Sequence, residues 1–123
     1  MSPRVYRVLL VVALVFAVTM ALLPHPPRVP TDRLGDKFNH MIAFATLAFL
    51  AAKAYPIASL MRIGERLSFV GALIEVLQAI PELGRDCDIR DWIADTLAIT
   101  VVLIVVAAVR HRAALLSIGD GRA

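Results

Sequence analysis

The 123 residues suit one domain of ordinary size, and 59% of them are hydrophobic while only 19% are charged. Soluble domains hold roughly 45–50% apolar residues, so this chain lacks the polar surface to coat a globule in water, and its surplus calls for lipid. The net charge of +3 is small and forms no basic stripe interleaved with aromatics, which argues against nucleic acid, and the single cysteine, Cys87, excludes an internal disulfide or a CxxC pair.

Four apolar runs follow one another along the chain. The first, VLLVVALVFAVTMALL at 8–23, contains no charge. Arg4 and Arg7 precede it as in a signal peptide, but the run exceeds the usual h-region and TMALLPHPP offers no small-residue cleavage site, so a retained anchor is expected. The second run, FNHMIAFATLAFLAA at 38–52, reaches spanning length if Lys53 snorkels to the interface. The third, LSFVGALIEVLQAI at 67–80, is short and extends back through SLMRIGER, with Arg62 and Arg66 reaching headgroups. The fourth, WIADTLAITVVLIVVAAV, covers 92–109. A spanning helix needs about 20 mostly apolar residues. Lipid offers free backbone groups no partner, so spans are helices or closed barrels. Four runs without strict alternation do not make a barrel. PHPPRVPTDRLGD, YPIAS and PELGRDCD punctuate the runs with Pro and Gly. The predicted architecture is all-α: one domain over 1–123, an integral membrane bundle of four transmembrane helices at about 5–23, 37–55, 60–80 and 91–110.

Basic residues set the orientation. With both termini inside, the inner segments hold eight of them: Arg4, Arg7, Lys53, Arg62, Arg66, Arg110, Arg112 and Arg122. The outer loops hold five: Arg28, Arg33, Lys37, Arg85 and Arg90. This places both termini in the cytoplasm of a multi-pass protein of a bacterial inner membrane. Trp92 and Tyr55 then fall at the two interfaces, where aromatic belts form.

In that topology the unusual polar residues gather in one leaflet. The second helix begins with Asp36, Lys37 and His40, and Asp36 and His40 share a face that Phe44 continues. Gly71, Glu75 and Gln78 follow the i, i+4, i+7 rule and form one stripe, and Asp91, Asp95 and Ala98 form another. Gly71 leaves room for a neighbouring backbone. Turning these stripes toward one another keeps carboxylates out of lipid, and ionisable residues inside a span usually mark function. Lys37, His40 and Arg85 are suited to an anionic headgroup, Arg with two-pronged contacts to phosphate. His40, Glu75 and Asp95 are ordinary zinc ligands, but there is no HExxH helix and DCDIRD lacks the Gly and distal Glu of an EF-hand, so no metal or cofactor is expected. Ser59 and Ser68 lie toward the inner side, away from His40, and Thr96 lies on the outer side with no base placed for it.

DKFNHMIAFATLAFL followed by GALIEVLQAIPELGRDCDIRDWIADTLA resembles the VanZ-like family of small bacterial membrane proteins. The resemblance covers about residues 34 to 105. It rests on Asp36, Lys37 and His40; on Gly71, Glu75 and Gln78 in Gly-x-x-x-Glu-x-x-Gln; on Gly84 and Arg85; and on Asp91. Asp95 stands where the family usually has Asn, and Ala98 where it often has Gly. The added carboxylate calls for protonation or for a cation such as Arg85 or Lys37. The resemblance implies a link to glycopeptide resistance, chiefly to teicoplanin. The topology and the stripes give an outward-facing ligand site of Asp36, Lys37, His40, Glu75, Gln78, Arg85, Asp91 and Asp95. The expected partner is an anionic membrane lipid or a lipid-linked cell-wall precursor, bound by a protein read as non-enzymatic. Two alternatives stand beside this: a membrane enzyme with His40 and Glu75 as acid–base pair, and an accessory subunit whose polar cluster is structural.

Overall fold

The computed structural model describes residues 1–24, 28, 35–85 and 87–121. Among them are four α-helices and no strand: α1 (Pro3–Leu22), α2 (Asp36–Ala54), α3 (Leu60–Gln78) and α4 (Ile89–Gly119), with a 3-10 turn at Pro81–Leu83 leading into α4. The starts are set by local chemistry. Ser2 accepts from the Val5 N–H ahead of Pro3, Ser59 accepts from the Arg62 N–H, and Asp88 accepts from the Arg90 N–H at 2.9 Å, each filling an orphan donor of a first turn. α2 starts instead from Gly35 at φ 98°, a conformation glycine adopts without strain. The ends come before Pro24, Pro56 and Pro81, which cannot continue a helix.

α2 is the central helix. Its most extensive contacts are with α4 and α1, while α3 leans chiefly on α4. The buried face of α2 explains this: below Phe44 and Leu47 it carries Ala48, Ala51, Ala52 and Ala54, and small residues let neighbouring helices approach. Leu67, Ile74, Ile99 and Leu103 complete the core from α3 and α4.

The helices alternate in direction, as their end contacts show. At one end the Arg7 Nε donates to the Ala54 carbonyl at 3.0 Å and the Arg110 Nη2 to the Ala52 carbonyl at 2.8 Å. Two residues from different helices thus fill the orphan carbonyls where α2 stops, and their charge opposes the negative end of its dipole. Arg7 also lies 4.8 Å over the Tyr55 ring. The C-termini of α1 and α3 meet the start of α4 at the opposite end.

Large apolar side chains remain exposed on every helix: Val8, Val12 and Val15 on α1, Ile42 and Phe49 on α2, Phe69, Leu73 and Val76 on α3, and Leu97, Val101 and Ile104 on α4. Thr46 and Thr100 return their hydroxyls to the carbonyls of Ile42 and Thr96, which satisfies them without water. By length and composition α1 and α4 are the two helices long and apolar enough to cross a membrane. α2 and α3 have 19 residues each and carry charges at both ends. The expectation of four helices is therefore met, with the length and apolarity of a span in two of them.

One boundary differs markedly. α4 was expected to stop near 110 and runs to Gly119. RHRAALLSI contains neither Gly nor Pro, so nothing stops the helix until the Gly-Asp-Gly that follows, where Gly121 takes φ 72°.

Candidate functional site: a buried polar cluster at one helix end

His40, Glu75, Gln78, Asp91 and Asp95 are all buried, Asp95 completely. They come from three helices and meet where α3 ends and α4 begins. His40 lies on the face of α2 that turns inward, one turn before Phe44. Its Nδ1 is 3.6 Å from Asp95 Oδ2. Asp95 therefore has His40 as its neighbour, where the sequence called for protonation or for a cation such as Arg85 or Lys37. Asp91 and Asp95 repel the Glu75 carboxylate, and His40 attracts it.

Glu75 does a second thing. Its Oε2 accepts from the backbone N–H of Asp88 at 3.0 Å. Asp88 in turn caps α4 with its side chain. The carboxylate of α3 is thereby tied to the first turn of α4, and the Cys87 thiol bonds to the same carboxylate from the loop. Partial desolvation, then the charge of Glu75 and this bond, then Asp88 and Asp91, hold the Cys87 thiol above its ordinary pKa.

Gln78 and Arg85 take a different part from the one expected. Gln78 Nε2 donates to the Ala21 carbonyl at 2.8 Å. Arg85 Nη1 donates to the carbonyls of Met20 and Leu23 at 3.2 and 3.0 Å. Both side chains close the C-terminus of α1, whose last carbonyls have no intrahelical partner. Lys37 is exposed. Asp36 begins α2, but its side chain lies outside the described residues.

Three contacts escaped the sequence reading. Trp92 is half-buried and its Nε1 donates to the Ser68 carbonyl at 3.0 Å, which ties the first turn of α4 to α3. The hydroxyls of Ser68 and Thr96 lie 2.9 Å apart, although they had been assigned to opposite sides of the bilayer. The α3–α4 crossing brings them level, which no spacing within one helix reveals. Gly71 receives side chains, not a backbone: a Cβ there would meet Trp92 at 3.4 Å, Phe44 at 3.5 Å and Asp95 Oδ2 at 3.6 Å. Only the cap at Asp88 had a readable signal, an Asp directly before an apolar-periodic run.

Among the described residues, no group of three or more His, Cys, Asp or Glu is arranged to hold a metal ion. The acid–base pair expected of an enzyme, His40 with Glu75, is linked by charge attraction, and the direct neighbour of His40 is Asp95. No family model matches the chain, and neither a characterised protein nor a solved structure is similar to it.

Proposed function

We propose that this chain is a four-span membrane protein with both termini in the cytoplasm, and that its cluster at the outer helix ends binds a membrane lipid or a lipid-linked cell-wall precursor. The observation that carries this reading is the convergence of His40, Glu75, Asp91 and Asp95 from three helices into one buried group. Burying several ionisable side chains is expensive, and interhelical polar contacts in membranes return only about 0.6 kcal/mol each on average. Stability alone therefore does not account for the cluster.

Membrane residence is supported by the apolar side chains exposed on all four helices, since soluble monomers rarely expose contiguous apolar patches above a few hundred Å². Lipid would cover α2 and α3 between their charged ends. Gln78 and Arg85 bind the end of α1, which favours α1 as a permanent span over a cleaved leader. The outward orientation follows from the excess of Arg and Lys at the opposite end, where Arg7, Lys53 and Arg110 sit. Lys37, exposed at the rim, is available to a headgroup phosphate.

A VanZ-like role linked to teicoplanin resistance follows from the ordered motifs that run from Asp36 to Asp91. In this reading the protein binds without catalysis. For Gln78 Nε2 and Arg85 Nη1 the structural alternative is favoured directly by their bonds to α1 carbonyls.

The test is mass spectrometry of the lipids held by the purified full chain. Wild type should retain a defined lipid, and the Lys37→Ala/His40→Ala double variant should lose it. A phenotype preserved after every cluster residue is neutralised would leave only the structural reading. For resistance, expression in a teicoplanin-sensitive host without an outer membrane should raise the inhibitory concentration, and unchanged sensitivity would remove that link.

A further inference from the structure

The cluster holds buried oxygens without a hydrogen-bond donor among the described residues on two helices: both Oδ atoms of Asp95 on α4, which has His40 as its neighbour, and one acceptor each of Glu75 and Gln78 on α3. Gln78 is 1% exposed, and its amide orientation is fixed, because only the nitrogen can face the Ala21 carbonyl. That leaves Oε1, which accepts no hydrogen bond from any described residue. One turn earlier Glu75, 6% exposed, spends Oε2 on the Asp88 N–H, and its Oε1 also accepts none among the described residues. Positions three apart lie on one helix face, so both bare acceptors belong to the same side of α3. A buried acceptor without a donor is costly, and one of these two is part of an anion.

The Cys87 thiol already bonds to the Glu75 carboxylate and leaves its Oε1 bare, and other donors of this end are committed elsewhere. Gln78 Nε2 and Arg85 Nη1 bind carbonyls of α1, and Lys37 is exposed. The complement of two buried acceptors beside a carboxylate is a small group rich in N–H donors that carries positive charge. An ammonium has three donors, no acceptor and a full charge. A hydroxyl has one donor and fills one acceptor. A guanidinium is matched to both oxygens of one carboxylate, and Asp88 already holds one of those of Glu75.

From these atoms we infer that the ligand enters the cluster by a protonated primary amine, which donates to Glu75 Oε1 and Gln78 Oε1. This rests on the pocket reading above and names the group the pocket recognises. The same ammonium occurs on a lipid headgroup and on a soluble amine.

The experiment is native mass spectrometry of the full chain in detergent, titrated with phosphatidylethanolamine, with its N-methylated series through phosphatidylcholine, and with phosphatidylglycerol. Successive methylation removes N–H donors while the positive charge stays. Phosphatidylethanolamine should be retained about tenfold more strongly than phosphatidylcholine, the size expected of a charge-assisted bond. In Glu75→Gln, which keeps the shape of the side chain and removes its charge, that preference should fall to about twofold or less. Because the methylation series is read on the wild-type chain, the inference stays testable if the variant does not fold. Equal retention of the two lipids, or an unchanged preference in Glu75→Gln, would overturn the ammonium. Free ethanolamine added as competitor separates the sources: displacement assigns the amine to a soluble molecule, persistence assigns it to the lipid, and both uphold the inference. Selective retention of phosphatidylglycerol would remove the ammonium and leave the pocket standing, whereas retention of no lipid and no amine would remove both.

Discussion

Gln78 and Arg85 end on carbonyls of the last turn of α1, so truncating either leaves an acceptor bare where that helix stops. Gln78→Leu should destabilise the protein by about 1–3 kcal/mol, the cost of an unfilled buried partner, read as a lower unfolding midpoint in detergent. Arg85→Ala should cost less, because Arg85 is only half-buried and water can reach the freed carbonyls. Gly71 makes a sharper case. The space above it ends at 3.4–3.6 Å from Trp92, Phe44 and Asp95. Gly71→Ala should therefore change stability by no more than about 0.5 kcal/mol, while Gly71→Leu forces those side chains apart and should cost about 1–3 kcal/mol. Cys87 is exposed, and its raised pKa means less thiolate at any given pH than an ordinary cysteine provides. Its alkylation should be slow near pH 7 and should keep rising above about pH 8.5, where an unperturbed thiol is already half ionised. A rate that levels off at or below that pH would contradict the carboxylate field around it.

α2 is held at its end by its neighbours. Its own sequence stops at Pro56, but the carbonyls left over are filled by Arg7 from α1 and Arg110 from α4. These arginines had been read only as orientation signals. Arg110→Ala should destabilise by about 1.5–3 kcal/mol, the range for bonds to charged donors. Arg110→Lys should recover part of it, since one ammonium can reach a single carbonyl. Adding Arg7→Ala should give a non-additive loss, because both residues serve one helix end. α4 raises a different point. At 1.5 Å per residue it is about 46 Å long, against a hydrocarbon core of about 30 Å. Its stretch from Ile89 to Arg110 is long enough to cross, and the Arg110 contact fixes the end of that stretch relative to α2.

The whole molecule is a bundle with an apolar exterior and a charged interior at one end, the reverse of a water-soluble globule. That inversion is what lipid as a solvent requires. The proposed topology puts the α3–α4 loop outside, and the chain carries its own reporter there, because Cys87 is its one cysteine. A membrane-impermeant maleimide, applied at a pH high enough to ionise the thiol, should label Cys87 in intact cells. Labelling only after permeabilisation would invert the topology and turn the polar cluster toward the cytoplasm. Much of this was legible in advance. The apolar runs and the Pro and Gly between them located all four helices, because each run has helical length and lacks the strict alternation of a strand. The stripes Gly71, Glu75, Gln78 and Asp91, Asp95 also pointed inward as read, because a carboxylate facing hydrocarbon costs too much.

By itself the sequence determined the helical class, the helix positions, and which polar residues turn inward, since each follows from periodicity and solvent preference within one segment. Only the tertiary structure decided which of those residues meet. It set His40 against Asp95, tied Glu75 to the Asp88 backbone, drew Ser68 beside Thr96, and turned Gln78 and Arg85 to the end of α1. Pairings between helices depend on crossing angle and relative depth, which no single helix encodes, and on carbonyls, which every residue carries alike.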